Sequence, residues 1–127
     1  MSTRSTLDRW HRMVDSRDAA DLDDLLADDA VFQSPVVHTP QVGKAIAAVY
    51  LRAAMLVLGN GSFRYVNEWR GERSAVLEFE TAIDGILVNG VDMIDWNEDG
   101  RITRFKVMVR PLKAINLLHQ MMAQRLR

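Results

Sequence analysis

One aspartate in an otherwise apolar stretch is the first candidate for chemistry. Asp92 has the same parity as Ile86, Val88, Ile94 and Trp96, and residues of one parity face one side of a strand. Aspartate is disfavoured at mid-strand positions, so something must compensate it. Two arrangements would do so. A carboxyl desolvated by Ile94 and Trp96 has its pKa raised, stays neutral and can donate a hydrogen bond to an oxyanion developing on a ligand. Alternatively, an ionised Asp92 bonded to Arg110, His38 or a backbone amide would serve only the fold. His38 follows Ser34-Pro35-Val36-Val37 in a polar loop. Its imidazole suits a base near neutral pH, or a plain surface hydrogen-bonding residue. Asp92 and His38 are the candidate catalytic residues.

The remaining chemistry-bearing side chains divide into pocket and framework. Trp10, Tyr50, Phe63, Tyr65, Trp69 and Trp96 could line an aromatic cavity for an apolar, ring-containing molecule. Most aromatic residues of a small protein are simply core, so Trp10, Tyr50 and Trp96, with Ser34, are the ones assigned to substrate binding. His11 and His119 lie in helical stretches without acidic companions at ligand spacing, so no metal site is expected. Glu78 and Glu80 share a parity opposite to Leu77 and Phe79 and read as a solvated or interface face, not an acid/base pair. Gly59-Asn60-Gly61 follows a helix instead of opening one, so no phosphate-cradling loop is present and no cofactor is expected.

These residues need elements to hold them. Leu7, Trp10 and Val14 recur at helical spacing between Leu7 and Asp15. Asp18 or Asp21 can cap a second helix carrying Leu22, Leu25 and Leu26 and ending at Asp28-Asp29. A short strand, Ala30 to Ser34, stops at Pro35. A third helix runs from about Gly43 to Leu58. Beyond Gly61 the period changes to two, giving four strands: one around Phe63–Arg70, one around Leu77–Ile83, a long one over Ile86–Asn97, and one around Phe105–Arg110. Asp84-Gly85 is a type I′ hairpin signal. Gly90 fits a bulge or bend that would help curve the sheet. A last helix follows Pro111. This is an α+β layout, with the helices as cover for the apolar face of the sheet.

Composition narrows the class. The 127 residues are 48% hydrophobic and 26% charged, as in an ordinary globular domain, and no repeat, linker or low-complexity stretch argues for a second one. With 16 basic and 17 acidic residues scattered along the chain, no footprint for nucleic acid or anionic membrane is visible. No apolar run has signal-peptide or membrane-spanning length. Cysteine is absent, which suits a reducing compartment, and a cytoplasmic location is the default expectation.

The element order resembles the nuclear transport factor 2-like (cystatin-like) cone, a curved antiparallel sheet covered by N-terminal helices, and within it the SnoaL-like proteins. Asp21-Leu22-Asp23-Asp24-Leu25-Leu26-Ala27-Asp28-Asp29-Ala30-Val31-Phe32 is similar to the family's second helix entering its first strand. Ser34-Pro35, Gly43 and the run Gly90-Val91-Asp92-Met93-Ile94-Asp95-Trp96-Asn97-Glu98-Asp99-Gly100-Arg101-Ile102 are similar to its later landmarks. The resemblance implies a pocket and a range of activities: isomerases, cyclases, epoxide hydrolases, dehydratases and proteins with no chemistry. It places Asp92 where ketosteroid isomerases keep a protonated, oxyanion-binding acid. Ser34 stands where those enzymes keep a proton-abstracting aspartate, and Trp10 where they keep a tyrosine. Phe32, Gln33 and Ser34 stand where limonene epoxide hydrolases keep tyrosine, a spacer and asparagine.

The expectation is a cofactor-independent acid/base enzyme of isomerase, cyclase or dehydratase type acting on a small apolar molecule. The alternative is a non-catalytic ligand-binding or accessory module. The resemblance and the apolar residues on both faces of the meander also imply a homodimer, with Val91 and Met93 as first interface candidates.

Overall fold

The computed structural model describes residues 3–126. Along them run α1 (Thr3–Ser16), α2 (Leu22–Leu25), β1 (Leu26–Gln33), β2 (Gln41–Val42), α3 (Lys44–Leu58), β3 (Arg64–Arg70), β4 (Ser74–Ile83), β5 (Ile86–Trp96), β6 (Ile102–Arg110) and α4 (Leu112–Arg125). The strands form one sheet in the order β2-β1-β6-β5-β4-β3. The meander β3 to β6 is antiparallel throughout, whereas β1 lies parallel to β6. Among the described residues no helix is long and apolar enough to cross a membrane.

Alternation on β4 and β5 decides which side of the sheet carries the core. Ala75, Leu77, Phe79, Thr81 and Ile83 of β4 are buried, as are Val88, Gly90, Asp92, Ile94 and Trp96 of β5, while the residues between them are half-buried or exposed. Helix α1 lays Leu7, Trp10 and Met13 on this face. Its start is tied down by Thr6, whose hydroxyl donates to the Gly100 carbonyl at 2.9 Å. Helix α3 packs over β1, and α4 packs against α3 and β6. Register shifts between Leu26 and Val31, Tyr65 and Asn67, and Asp95 and Trp96 interrupt the ladders, and such irregularities bend strands and increase their twist.

Three local expectations need correction. Helix α2 is a single turn, and the chain is already extended at Leu26 (ψ 137°), so Asp28 and Asp29 project from β1 instead of ending a helix. The reason is pairing: Leu26 is buried and opposes Ile102 of β6. Gly90 marks no bulge, since β4 and β5 stay in register through Phe79 and Gly90. A Cβ there would lie 2.5 Å from Phe79 Cζ and 2.5 Å from the Met108 carbonyl oxygen, so glycine is required by close approach. The short strand β2 was not foreseen. The hairpin at Asp84-Gly85 has positive φ at both residues, 51° and 78°, as its sequence requires.

Candidate functional site

Between the helices and the sheet lies a cavity of about 350 Å³. Its apolar walls include Leu51, Met55 and Leu58 of α3, Phe63, and Phe105 and Val107 of β6. Trp10, Tyr65 and Asp92 supply polar atoms to the wall, and Arg17 and Arg52 stand at the rim. Arg52 is paired with Asp23 at 3.1 Å.

The polar wall is a directed chain of hydrogen bonds. Trp10 Nε1 donates to the Tyr65 hydroxyl oxygen at 3.0 Å. Tyr65 donates its own proton to Asp92 Oδ2 at 2.6 Å. The Trp10 ring lies against Phe105, with centroids 4.8 Å apart, and His11 meets the Tyr65 ring edge-on at 5.4 Å. Oδ1 of Asp92 has no protein partner among the described residues. Asp92 is also the one carboxyl-bearing residue in the buried class among them, 5% exposed. Burial pushes its pKa up to about 7, against the opposing pull of the Tyr65 hydrogen bond. Burial, and then the adjacent Asp92 charge, hold the Tyr65 phenol well above its usual range. Because the Tyr65 proton already occupies Oδ2, the Asp92 proton, when present, resides on Oδ1. The neutral carboxyl therefore offers a donor, and the ionised one an acceptor, at a single oxygen.

A second cavity of about 180 Å³ lies under α4, between Leu118 and Met122 and the segment Ser34 to Val37. It shares Ala54, Leu58 and Val107 with the first. Ser34, Tyr50 and His119 are its polar members.

The six residues singled out from sequence are therefore distributed. Trp10 and Asp92 share the first cavity, and Ser34 and Tyr50 share the second. His38 is exposed in the loop before β2 and lines neither cavity. Trp96 is buried but lines neither: it lies four residues beyond Asp92, about 13 Å along a strand. Neither Arg110 nor His38 bonds Asp92. The partner is Tyr65, which the sequence marked as aromatic at the right parity without distinguishing it from core. No group of three or more His, Asp or Glu side chains able to hold a metal occurs among the described residues.

Helices packed over a curved sheet, with a cavity between the two layers, define a protein of the nuclear transport factor 2-like class. The model of the SnoaL-like domain matches residues 7–105, and the chain belongs to that family. It is similar to a steroid delta-isomerase from Pseudomonas aeruginosa, at 36% identity over 98% of this chain and 90% of that one, with a TM-score of 0.93. It is also similar to an uncharacterized protein conserved in bacteria with a cystatin-like fold from Silicibacter pomeroyi, at 30% identity over 94% and 84% of the two chains, TM-score 0.86. An epoxide hydrolase/cyclase-like enzyme, SalBIII, associated with pyran ring formation in the polyether salinomycin, shares the fold at 16% identity over 85% and 90%, TM-score 0.67. The fold is thus related to those of isomerases and cyclases. No curated protein matches the chain.

Proposed function

We propose that the protein binds a small, apolar, ring-containing molecule in the first cavity, with a carbonyl or hydroxyl oxygen at Asp92, and acts on it by cofactor-independent acid/base chemistry. The supporting observation is the Asp92 carboxyl, capped on Oδ2 by Tyr65 at 2.6 Å and open on Oδ1 toward an apolar cavity. A carboxyl titrating near neutrality suits general acid catalysis. Neutral Asp92 would donate through Oδ1 to the ligand oxygen as negative charge builds there, the step common to double-bond isomerisation and to loss of a hydroxyl. The likeness to a steroid delta-isomerase supports the isomerase form of this reading.

One observation favours binding without turnover. Among the described residues the first cavity has no second carboxylate or imidazole in its wall, and Ser34 lines the adjoining cavity. The test uses a β,γ-unsaturated steroid ketone, with binding followed by tryptophan fluorescence and turnover by conjugated-enone absorbance. Affinity of the wild type is expected to fall about tenfold per pH unit above pH 7, while Asp92→Asn, whose amide remains a donor, binds with no such dependence. Enone formation identifies the enzyme, and saturable, pH-sensitive binding alone identifies the binding protein. Absence of binding, or the same pH profile in both proteins, refutes the assignment of Asp92.

We further propose a homodimer through the outer face of the sheet, where Val76, Val91 and Met93 are half-buried and Met108 is exposed. Light scattering at micromolar concentration should give twice the chain mass, and the mass of a single chain refutes it.

A further inference from the structure

The second cavity contains donors that the fold does not use. Ser34 Oγ accepts the backbone N–H groups of Val36 and Val37 at 3.0 and 3.3 Å, which fixes the oxygen, yet its own proton has no acceptor among the described residues. The Tyr50 hydroxyl, on the wall of the same cavity, has no hydrogen-bond partner among those residues either. A hydroxyl held in a pocket with its proton unspent offers a donor to an acceptor brought by a ligand. Ala54, Leu58 and Val107, all apolar, line both cavities, so the two chambers adjoin along a shared apolar wall. Ala54 is the smallest of the three.

We propose that the two cavities form one bipartite site for an elongated apolar molecule with a hydrogen-bond acceptor at each end. One oxygen meets Asp92 and the other meets the Ser34 hydroxyl, and Ala54 sets whether the molecule passes between the chambers. This rests on the first cavity being a ligand site and extends that reading to the length and polarity of the ligand. The chemistry it selects is an alicyclic ketone bearing a second carbonyl or ether oxygen at its far end.

The probes are 4-alkylcyclohexanones of increasing chain length, each paired with a counterpart ending in a methyl ketone, with binding measured by calorimetry. In the wild type the terminal ketone should tighten binding about fivefold at one optimal length, the yield of a single hydrogen bond. Ser34→Ala should lose that gain, read as the ratio between each terminal-ketone probe and its plain alkyl counterpart; comparing paired probes within one variant removes any effect of a loosened Ser34 turn. Ala54→Phe, whose ring narrows the wall common to both cavities, should weaken the long probes at least tenfold more than 4-methylcyclohexanone, and its unfolding curve reports whether the fold is intact. The bipartite site is overturned if the terminal ketone adds nothing at any length, or if Ala54→Phe weakens short and long probes alike. If no cyclohexanone binds at all, the first cavity is not a ketone site and both readings fall. Short probes that bind while long ones gain nothing defeat the bipartite site alone.

Discussion

Asp92→Asn should stabilise the protein at neutral and alkaline pH, because the wild type buries a carboxyl that ionises in the unfolded chain well before it ionises in the fold. The folded pKa is about 7 against an ordinary value of 3.8. Between those values the native state holds a proton that the unfolded state has released, so wild-type stability falls as pH rises through that window and levels off above it. About three pH units at about 1.4 kcal/mol each give roughly 4 kcal/mol. Local relaxation and water entry reduce this, leaving a difference of about 2 to 4 kcal/mol. Asparagine carries no charge, and its carbonyl still accepts the Tyr65 proton. The difference between variant and wild type should therefore be near zero below pH 4, grow through the window, and stay constant above pH 7. Urea unfolding at a series of pH values measures it, and groups that titrate equally in both proteins cancel in the subtraction. A flat difference, or a wild type that gains on the variant as pH rises, would refute the reasoning. A carboxyl-carbon NMR titration of Asp92 with a midpoint at the usual aspartate value would refute it independently.

Tyr65→Phe removes the hydrogen bond that lowers the Asp92 pKa and leaves the Trp10 N–H without its acceptor. The Asp92 midpoint should move further up by NMR, with a stability loss of about 1 to 3 kcal/mol in urea. Gly90→Ala sets a methyl group 2.5 Å from Phe79 Cζ and the Met108 carbonyl oxygen, and should cost on the order of 2 kcal/mol by thermal unfolding. Burial of Glu68 acts to raise its pKa, but hydrogen bonds with His11 and Arg70 outweigh it, and the net shift is downward. Glu68→Gln should therefore lower stability above about pH 4.5 by less than ~1 kcal/mol, with the difference disappearing as pH falls through the folded pKa; paired urea curves at pH 3 and pH 7 measure this.

The sequence made the sheet legible because parity there is enforced by burial. Alternate residues are buried from Ala75 to Ile83 on β4 and from Val88 to Trp96 on β5, so a shift of one residue would turn the whole core face outward, and the position of Asp92 among apolar neighbours follows from counting alone. The same counting fails on β3, an edge strand with few buried neighbours. There a register shift between Tyr65 and Asn67 breaks the alternation, so Tyr65 faces the cavity while Trp69, of equal parity, is 55% exposed. Parity also carries no distance, which is why Trp96 shares the face of Asp92 without sharing its cavity. His38 shows a third limit, since no period governs a loop and the segment after Val36 runs outward to β2.

The state of Asp92 depends on a residue of β3, the strand whose facing parity could not decide. Phenylalanine at position 65 would leave the alternation, the strand and the apolar wall as they are, yet it would free Oδ2, leave the Trp10 N–H without its acceptor, and remove the one interaction opposing desolvation. Both carboxyl oxygens would then be open to a ligand, and the proton could sit on either. With tyrosine there, Oδ2 is occupied and the carboxyl proton is confined to Oδ1. What distinguishes a buried carboxyl with one usable oxygen from one with two is a single hydroxyl contributed from 27 residues away. Hydrophobic periodicity, which reports only which side of a strand is dry, has no means of registering it.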